Sequence, residues 1–262
     1  GTNDSPVFTH GPEETVGSVT EAGNEDNGTP IPGTPTATGT LSASDVDAGD
    51  TQSWSLIGDQ PTTYGTMTID ASTGVWTYEL DNELEATQAL TEGATVTQTY
   101  TVRVLDKYGA YVDQTVIITI TGTNDSPVFT HGPEETVGSV TEAGNEDNGT
   151  PIPGTPTATG TLSASDVDAG DTQSWSLIGD QPTTYGTMTI DASTGVWTYE
   201  LDNELEATQA LTEGATVTQT YTVRVLDKYG AYVDEKVVIT ITGTNDSPVF
   251  THGPEETVGS VT

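Results

Sequence analysis

The sequence predicts an all-β protein built from tandem β-sandwich domains, and three observations support this fold class. Apolar residues alternate with Thr, Ser, Asp or Glu in short runs such as Trp76-Thr-Tyr-Glu-Leu80. This alternation is the period-2 pattern of strands that bury one face. Turn-forming Gly and Asp residues separate the runs. The segment GTNDSPVFTHGPEETVGSVT begins at residues 1, 122 and 243, so the chain is a repeat with a period of 121 residues.

The two full repeats are nearly identical. Residues 1–121 and 122–242 differ only at Gln114/Glu235, Thr115/Lys236 and Ile117/Val238. A period of 121 residues is a typical domain size, so each repeat is expected to fold as its own domain. We assign residues 1–4 to the end of a linker, 5–121 to repeat 1, 122–125 to a linker, 126–242 to repeat 2, and 243–262 to the start of a third, incomplete repeat. The phase stays open, because residues 243–262 could instead complete the second domain and leave residues 1–20 unpaired.

Strand signals dominate each repeat, and the only helix signal is a turn or two at Leu84–Leu90. The acidic, Pro-rich stretch Asn24–Pro35 is expected to be a long surface loop. Seven short strands in about a hundred residues indicate an immunoglobulin-like sandwich. In repeat 1 the predicted strands lie near residues 5–9, 37–44, 51–57, 64–70, 74–80, 95–105 and 110–121.

The charge of the chain restricts its partners. There are 40 Asp and Glu residues against 5 Lys and Arg, giving a net charge of -35. Binding to nucleic acid or to an anionic membrane surface is therefore excluded, because both depend on Lys and Arg. The chain has no cysteine, which excludes disulfides and thiolate metal sites. No apolar stretch is long enough to span a bilayer, and the opening residues are not expected to act as a signal peptide. Cations are the expected electrostatic partners.

Acidic residues recur in short motifs at the predicted strand ends. These motifs are VTEAG, SASDVDAGD, ELDNE, VLDKYG and GTND. Calcium takes six to eight oxygen ligands, so Asp-x-Asp at a strand end and Asn-Asp in a linker suit this ion. SASDVDAGD is not an EF-hand, because no Glu closes the loop and Asp50 stands where the invariant Gly belongs. Solvated surface acids, or a glycosidase acid pair, are the alternatives. No Ser/His/Asp spacing supports nucleophilic catalysis, and His10, His131 and His252 are expected in exposed loops.

The order of these motifs resembles a cadherin repeat and, more closely, the VCBS-type repeats of large bacterial RTX adhesins. SASDVDAGD resembles the cadherin Asp-x-Asp motif, ELDNE resembles LDRE with Asn82 in place of Arg, and GTNDSPVF resembles the linker between cadherin domains. The resemblance covers essentially the whole repeat. It implies tandem immunoglobulin/cadherin-like Greek-key β-sandwiches that form an end-to-end rod with calcium clustered at each junction.

The resemblance also implies which residues bind calcium. At the junction near residue 124 they are Glu21, Asp81, Glu83, Asn124, Asp125, Asp166, Asp168 and Asp227. Half-sites at the two ends of the chain are Asn3, Asp4, Asp45, Asp47 and Asp106, and Glu142, Asp202, Glu204, Asn245 and Asp246. Asp50 and Asp171 are possible additional ligands.

The sequence therefore predicts a non-enzymatic, extracellular extender from a bacterial cell-surface adhesin. Several Ca²⁺ ions would stiffen it, so that it projects a distal adhesive domain away from the cell. Its expected partners are the neighbouring repeats of the same chain, and it is expected to be a monomer that binds neither nucleic acid nor membrane. The alternative is that the repeats are themselves an adhesive module that binds glycan or self-associates.

Overall fold

The computed structural model describes residues 2–248. These residues form two compact units. Unit 1 contains residues 2–128, 165–173 and 226–233, and unit 2 contains residues 129–164, 174–225 and 234–248. Unit 1 thus comprises repeat 1 and two loops that belong to repeat 2 in sequence. Gly1 and most of the predicted third repeat, from residue 249 onward, lie outside the described residues.

The two repeats fold into the same series of short elements. In repeat 1 these are β1 (Val7–Phe8), a 3₁₀ turn (Pro12–Thr15), β2 (Val16–Thr20), β3 (Gly23–Asn24), β4 (Pro30–Ile31), β5 (Thr36–Thr40), β6 (Ala43–Ser44), β7 (Ser53–Ile57), β8 (Gly65–Ile69), β9 (Val75–Leu80), α1 (Glu85–Gln88), β10 (Thr95–Leu105) and β11 (Tyr111–Thr121). In repeat 2 they are β12 (Val128–Phe129), a 3₁₀ turn (Pro133–Thr136), β13 (Val137–Thr141), β14 (Gly144–Asn145), β15 (Pro151–Ile152), β16 (Thr157–Thr161), β17 (Ala164–Ser165), β18 (Ser174–Ile178), β19 (Gly186–Ile190), β20 (Val196–Leu201), α2 (Glu206–Gln209), β21 (Thr216–Leu226) and β22 (Tyr232–Thr242). Within residues 2–248, no helix has the length and apolar character needed to cross a membrane.

Each repeat contains two main sheets. In unit 1 the strand order is β2-β11-β10-β7 in the four-stranded sheet and β5-β9-β8 in the three-stranded sheet. The corresponding orders in repeat 2 are β13-β22-β21-β18 and β16-β20-β19. β2 pairs with β11 in parallel, with Gly17 opposite Ile118, whereas β10 pairs with both of its neighbours in the antiparallel sense. The predicted all-β class with two tandem sandwich repeats is therefore confirmed.

The core of unit 1 is formed by the inward-facing residues of both sheets. Trp76 and Tyr78 from the smaller sheet, and Tyr100 and Ile118 from the larger one, are almost completely buried in a single cluster. The indole N–H of Trp76 donates to the carbonyl of Glu14 at 2.8 Å. A Cβ atom on Gly39, opposite Trp76 in the register, would lie 2.6 Å from the indole ring. This position therefore needs glycine.

The predicted strands near 51–57, 64–70, 74–80, 95–105 and 110–121 are confirmed as β7 to β11, and the helical turn is confirmed as α1. The predicted strand 37–44 is divided into β5, which pairs with β9, and β6, which pairs with β1 in a separate two-stranded sheet. β2 (Val16–Thr20) lies outside all of the predicted strands. The predicted long loop Asn24–Pro35 contains a short hairpin, because β3 pairs with β4.

Candidate metal centre

Three aspartates of one loop in unit 1 bring their carboxylates together. Asp166, Asp168 and Asp171 follow β17, and one oxygen atom from each lies within 4.8 Å of the others. The loop turns tightly because Asp166 Oδ1 accepts the main-chain N–H of Asp168 at 2.9 Å. Gly170 follows with a φ of 71°, in the left-handed region that favours glycine. The local sequence thus positions three carboxylates at one point.

The linker residues Asn124 and Asp125 contact the same end of unit 1. Asn124 is 5% exposed and donates its side-chain N–H to Asp227 Oδ2 at 2.8 Å. The main-chain N–H of Asp125 donates to Asp168 Oδ2 at 2.9 Å. The linker is therefore held by two hydrogen bonds to carboxylates that are far away in sequence.

Asp227 follows β21 and is held in place by its own turn. Its Oδ1 accepts the main-chain N–H groups of Tyr229, Gly230 and Ala231 at 2.8, 2.6 and 2.9 Å. These three donors fix the orientation of the Asp227 side chain. Its second oxygen accepts the bond from Asn124, so Asp227 orients the linker amide.

Glu21 is a completely buried carboxylate at the start of the loop after β2. One oxygen accepts the side-chain N–H of Gln88 at 3.2 Å, and the other accepts the main-chain N–H of Thr123 at 3.2 Å. Burial raises the pKa of Glu21 to about 8, with further contributions from the charges of Asp125 and Asp168. Glu21 therefore lies in the electrostatic field of the linker and loop aspartates.

Asp125 of the linker and Asp168 of the loop also resist ionisation. Burial raises the pKa of Asp125 to about 6, and the charge of Asp166 adds to this effect. Burial likewise raises the pKa of Asp168 to about 6, despite the hydrogen bond from Asp125. Several carboxyls that are ionised in water are thus held together where their negative charges are poorly solvated.

Six side-chain oxygens of linker residues 124–126 and of the loop aspartates are buried and have no hydrogen-bond partner. Buried polar atoms normally have partners, so a group of six without any requires an explanation. A set of carboxylate, amide and hydroxyl oxygens is suited to a hard cation such as Ca²⁺, whereas zinc and copper favour nitrogen and sulfur ligands. The donor set therefore fits calcium. The six atoms are Asn124 Oδ1, Asp125 Oδ2, Ser126 Oγ, Asp166 Oδ2, Asp168 Oδ1 and Asp171 Oδ2.

A second group of carboxylates in unit 1 combines two aspartates of the corresponding loop of repeat 1 with Asp106, which follows β10. Asp45, Asp50 and Asp106 bring one oxygen each within 4.8 Å of one another. Asn3 donates to Asp106 Oδ2 at 2.7 Å, in the same way as Asn124 donates to Asp227. The copies differ in burial, because Asn3 is exposed whereas Asn124 is buried. The main-chain N–H of Asp4 donates to Asp47 Oδ2 at 2.9 Å.

The two acids of the ELDNE motif are exposed, unlike the buried oxygens of the linker and loop. Asp81 and Glu83 are exposed, and Asp81 Oδ1 accepts the main-chain N–H of Glu83 at 3.0 Å. The residue between them, Asn82, accepts the N–H of Ala22, next to Glu21. The motif is thus attached near Glu21 through its amide, while its two acids face solvent.

In unit 2 the predicted half-site residues are only partly brought together. Glu142 is completely buried and accepts the main-chain N–H of Thr244 at 3.0 Å. Burial raises the pKa of Glu142, and the charge of Asp246 adds to this effect. The remaining predicted residues are exposed: Asp202, Glu204, Asn245 and Asp246.

Two residues of the site were not among the sequence predictions. Ser126 contributes one of the six oxygens, and Gln88 of α1 binds Glu21. Ser126 directly follows the GTND motif, so extending the motif by one residue would have included it. Nothing in the sequence near Gln88 indicates its contact with Glu21, because 67 residues separate the two.

Several solved cadherin structures are similar to this chain at low sequence identity. No curated protein matches the chain. Among solved structures, mouse cadherin-23 EC22-24 is 17% identical, with 92% of this chain and 67% of that chain covered and a TM-score of 0.47. The human desmocollin-1 ectodomain is 16% identical, with 91% of this chain and 42% of that chain covered and a TM-score of 0.37. PcdhgB3 EC1-4 is 18% identical, with 92% of this chain and 50% of that chain covered and a TM-score of 0.46. The chain thus spans between about two fifths and two thirds of these chains.

The sequence model of the bacterial cadherin-like domain matches residues 3–122 and again residues 124–243. Together the two matches include nearly the whole chain. The chain therefore belongs to the bacterial cadherin-like domain family and carries two tandem copies of that domain.

Proposed function

We propose that this chain is part of the extender region of a large extracellular adhesin of the RTX type on a bacterial surface, with VCBS-type repeats that calcium stiffens. It acts as a non-catalytic spacer that carries a distal adhesive domain away from the cell. Family membership and the near-identity of the two repeats support this role, because each added copy lengthens a spacer. Its partners in this role are the neighbouring repeats of the same chain.

The observation that carries the proposal is the group of six buried oxygens without hydrogen-bond partners. Leaving several such atoms buried costs free energy, and leaving carboxylates buried beside one another costs more. A bound Ca²⁺ ion supplies positive charge and coordination to oxygen atoms of this kind. Asp125, Asp166, Asp168 and Asp171 would hold it, together with the amide oxygen of Asn124.

The residues of this chain explain why calcium would act on the linker. Asn124 and Asp125 come from the linker, whereas the three loop aspartates lie more than forty residues further along the chain. Without a cation, their carboxylates repel one another and oppose the hydrogen bonds that hold the linker. With a bound cation, the carboxylates no longer repel one another, and the cation holds the linker against the loop aspartates. Linker stiffness thus becomes dependent on calcium.

Calorimetric titration of the full chain with CaCl₂ tests the proposal. We expect a dissociation constant on the order of 0.1–1 mM, as for other extracellular modules. The double variant Asp125→Asn with Asp168→Asn should weaken binding at least about tenfold, the equivalent of 1.4 kcal/mol. The matched control is Asp59→Asn with Asp180→Asn, which removes the same charge from two exposed positions. Equal affinity in both double variants would refute the proposed site.

A further inference from the structure

The hairpin formed by β3 and β4 contacts the linker directly through one residue, Asn24. The main-chain N–H of Asn24 donates to the carbonyl of Asn124 at 2.7 Å. The side-chain Oδ1 of Asn24 accepts the main-chain N–H of Ser126 at 3.2 Å. Asn24 therefore holds the main chain on both sides of Asp125, whose carboxylate belongs to the candidate metal centre.

The local sequence of the hairpin permits this contact. A Cβ atom on Gly23 would lie 2.5 Å from the carbonyl oxygen of Asn124, so the close approach of β3 to the linker needs glycine. The side-chain N–H of Asn24 donates to the carbonyl of Gly28 at 3.4 Å, within the same hairpin. This bond orients the amide so that its oxygen is available to Ser126.

Repeat 2 reproduces the contact within unit 2. The main-chain N–H of Asn145 donates to the carbonyl of Asn245 at 2.6 Å, and Asn145 Oδ1 accepts the main-chain N–H of Ser247 at 3.2 Å. Asn245 is exposed, however, whereas Asn124 is buried against Asp227. The SASDVDAGD motif occurs only twice in the sequence, so no third group of loop aspartates faces this second linker. The hairpin thus holds a linker without help from such a loop.

We propose that this hairpin is a docking element that holds the linker in place before a cation binds, and that Asn24 is a positioning residue of the candidate calcium site. Three of the six buried oxygens come from the segment that Asn24 holds, namely Asn124 Oδ1, Asp125 Oδ2 and Ser126 Oγ. A segment that is already held in its bound position loses less conformational entropy when its ligand binds. The hairpin should therefore raise the affinity for calcium.

The hairpin acts through the main chain of the linker and not as a metal ligand. Its own acids, Glu25 and Asp26, are exposed, and neither belongs to a described group of three carboxylates. The inference gives a role to a segment that the sequence marked only as a surface loop. Its statement about affinity rests on the proposed calcium function, whereas the docking of the linker does not.

Hydrogen–deuterium exchange of the full chain in chelator tests the docking. Asn24→Ala removes the acceptor of the Ser126 N–H, so exchange in peptide 117–126 should become at least about threefold faster, as the loss of one hydrogen bond allows. The matched control is Asn145→Ala, which should accelerate peptide 238–247 and leave 117–126 unchanged. Asn24→Asp keeps an acceptor oxygen and should restore slow exchange. Thermal unfolding confirms that each variant is folded.

Calorimetric titration with CaCl₂ tests the effect on the metal site. Asn24→Ala should weaken binding at least about fivefold, and Asn145→Ala should leave the affinity unchanged. The docking is overturned if folded Asn24→Ala exchanges like the original chain in chelator. The positioning role is overturned if exchange is faster but calcium affinity is unchanged, a result that leaves the proposed calcium site intact. An original chain that binds no calcium would refute both the calcium site and the positioning role, while exchange in chelator would still decide the docking.

Discussion

The main-chain N–H of Asp125 donates to Asp168 Oδ2 at 2.9 Å, while Asp125 Oδ2 and Asp168 Oδ1 are buried without a hydrogen-bond partner. The two acids are 43 residues apart in sequence. Two carboxylates held this close without a cation repel each other. The relationship therefore makes both the stability and the linker contacts sensitive to protonation and to metal.

The first prediction concerns pH in the absence of metal. The pKa of Glu21 is raised to about 8, and the pKa values of Asp125 and Asp168 are raised to about 6. These groups bind protons more tightly in the folded chain than in the unfolded chain, where they titrate near 4. Their stabilising contribution is complete below about pH 4 and is lost as the pH rises through about 6 to 8.

Differential scanning calorimetry in a chelator should therefore show Tm falling between pH 5 and pH 8. Asp191, whose side-chain hydrogen bond from Ser193 lowers its pKa to about 2, does not titrate in this window. In 10 mM CaCl₂ the slope should be much smaller, because the cation takes the place of the protons. A Tm that is constant or rises with pH in the chelator would contradict this prediction.

The second prediction isolates the buried carboxyl of repeat 1. In chelator at pH 8, Glu21→Gln should stabilise the chain by on the order of 1 kcal/mol, because the amide removes a charge that burial disfavours. It should also flatten the pH profile of Tm. Glu25→Gln is the matched control, because Glu25 is exposed. If both variants have the same Tm at pH 8, burial of Glu21 is not the source of the effect.

The third prediction concerns packing against the core tryptophans. Gly39→Ala with Gly160→Ala places a methyl group 2.6 Å from each indole ring. Overpacking of this kind should destabilise each repeat by about 1–3 kcal/mol. Urea unfolding measures the loss, with Thr66→Ala and Thr187→Ala at exposed strand positions as the control. A loss no greater than that of the control would show that the sheet can move away from the ring.

The fourth prediction concerns an exposed ion pair. Arg103 makes two hydrogen bonds to Asp113, at 2.7 and 2.8 Å, and both side chains are about one third exposed. Because solvent screens the pair, Asp113→Asn should cost less than about 1 kcal/mol, and 0.5 M NaCl should remove most of that cost. Urea unfolding at low and high salt provides the measurement. A loss well above this bound that is independent of salt would indicate a structural role beyond charge.

Most of the strands could be predicted from the sequence because their signal is local. Trp76, Tyr78 and Leu80 alternate with polar residues within one strand, so the buried face can be recognised from six residues. β2 could not be recognised in this way. Val16 and Val19 do not alternate, and the partner of this strand, β11, lies about a hundred residues away. Its hydrogen bonds depend on tertiary structure alone.

The residue types of the candidate site could be predicted from the sequence, but the burial of each residue could not. The acidic motifs indicate where oxygen ligands lie along the chain. Whether an acid is buried depends on contacts between distant segments, such as that of Asn124 with Asp227. The sequence therefore did not distinguish Glu21, which is completely buried, from Asp81, which is exposed.

The most direct test of the calcium account is hydrogen–deuterium exchange of the linker, followed by mass spectrometry. The Ile117/Val238 difference separates the peptide 117–126 from its otherwise identical counterpart 238–247 by one methylene group. The second peptide is an internal control, because Asn245 is exposed whereas Asn124 is buried. We predict that 5 mM CaCl₂ slows exchange in 117–126 at least about tenfold relative to chelator, with little change in 238–247 and little effect of magnesium. Equal exchange of peptide 117–126 in calcium and in chelator would contradict the account.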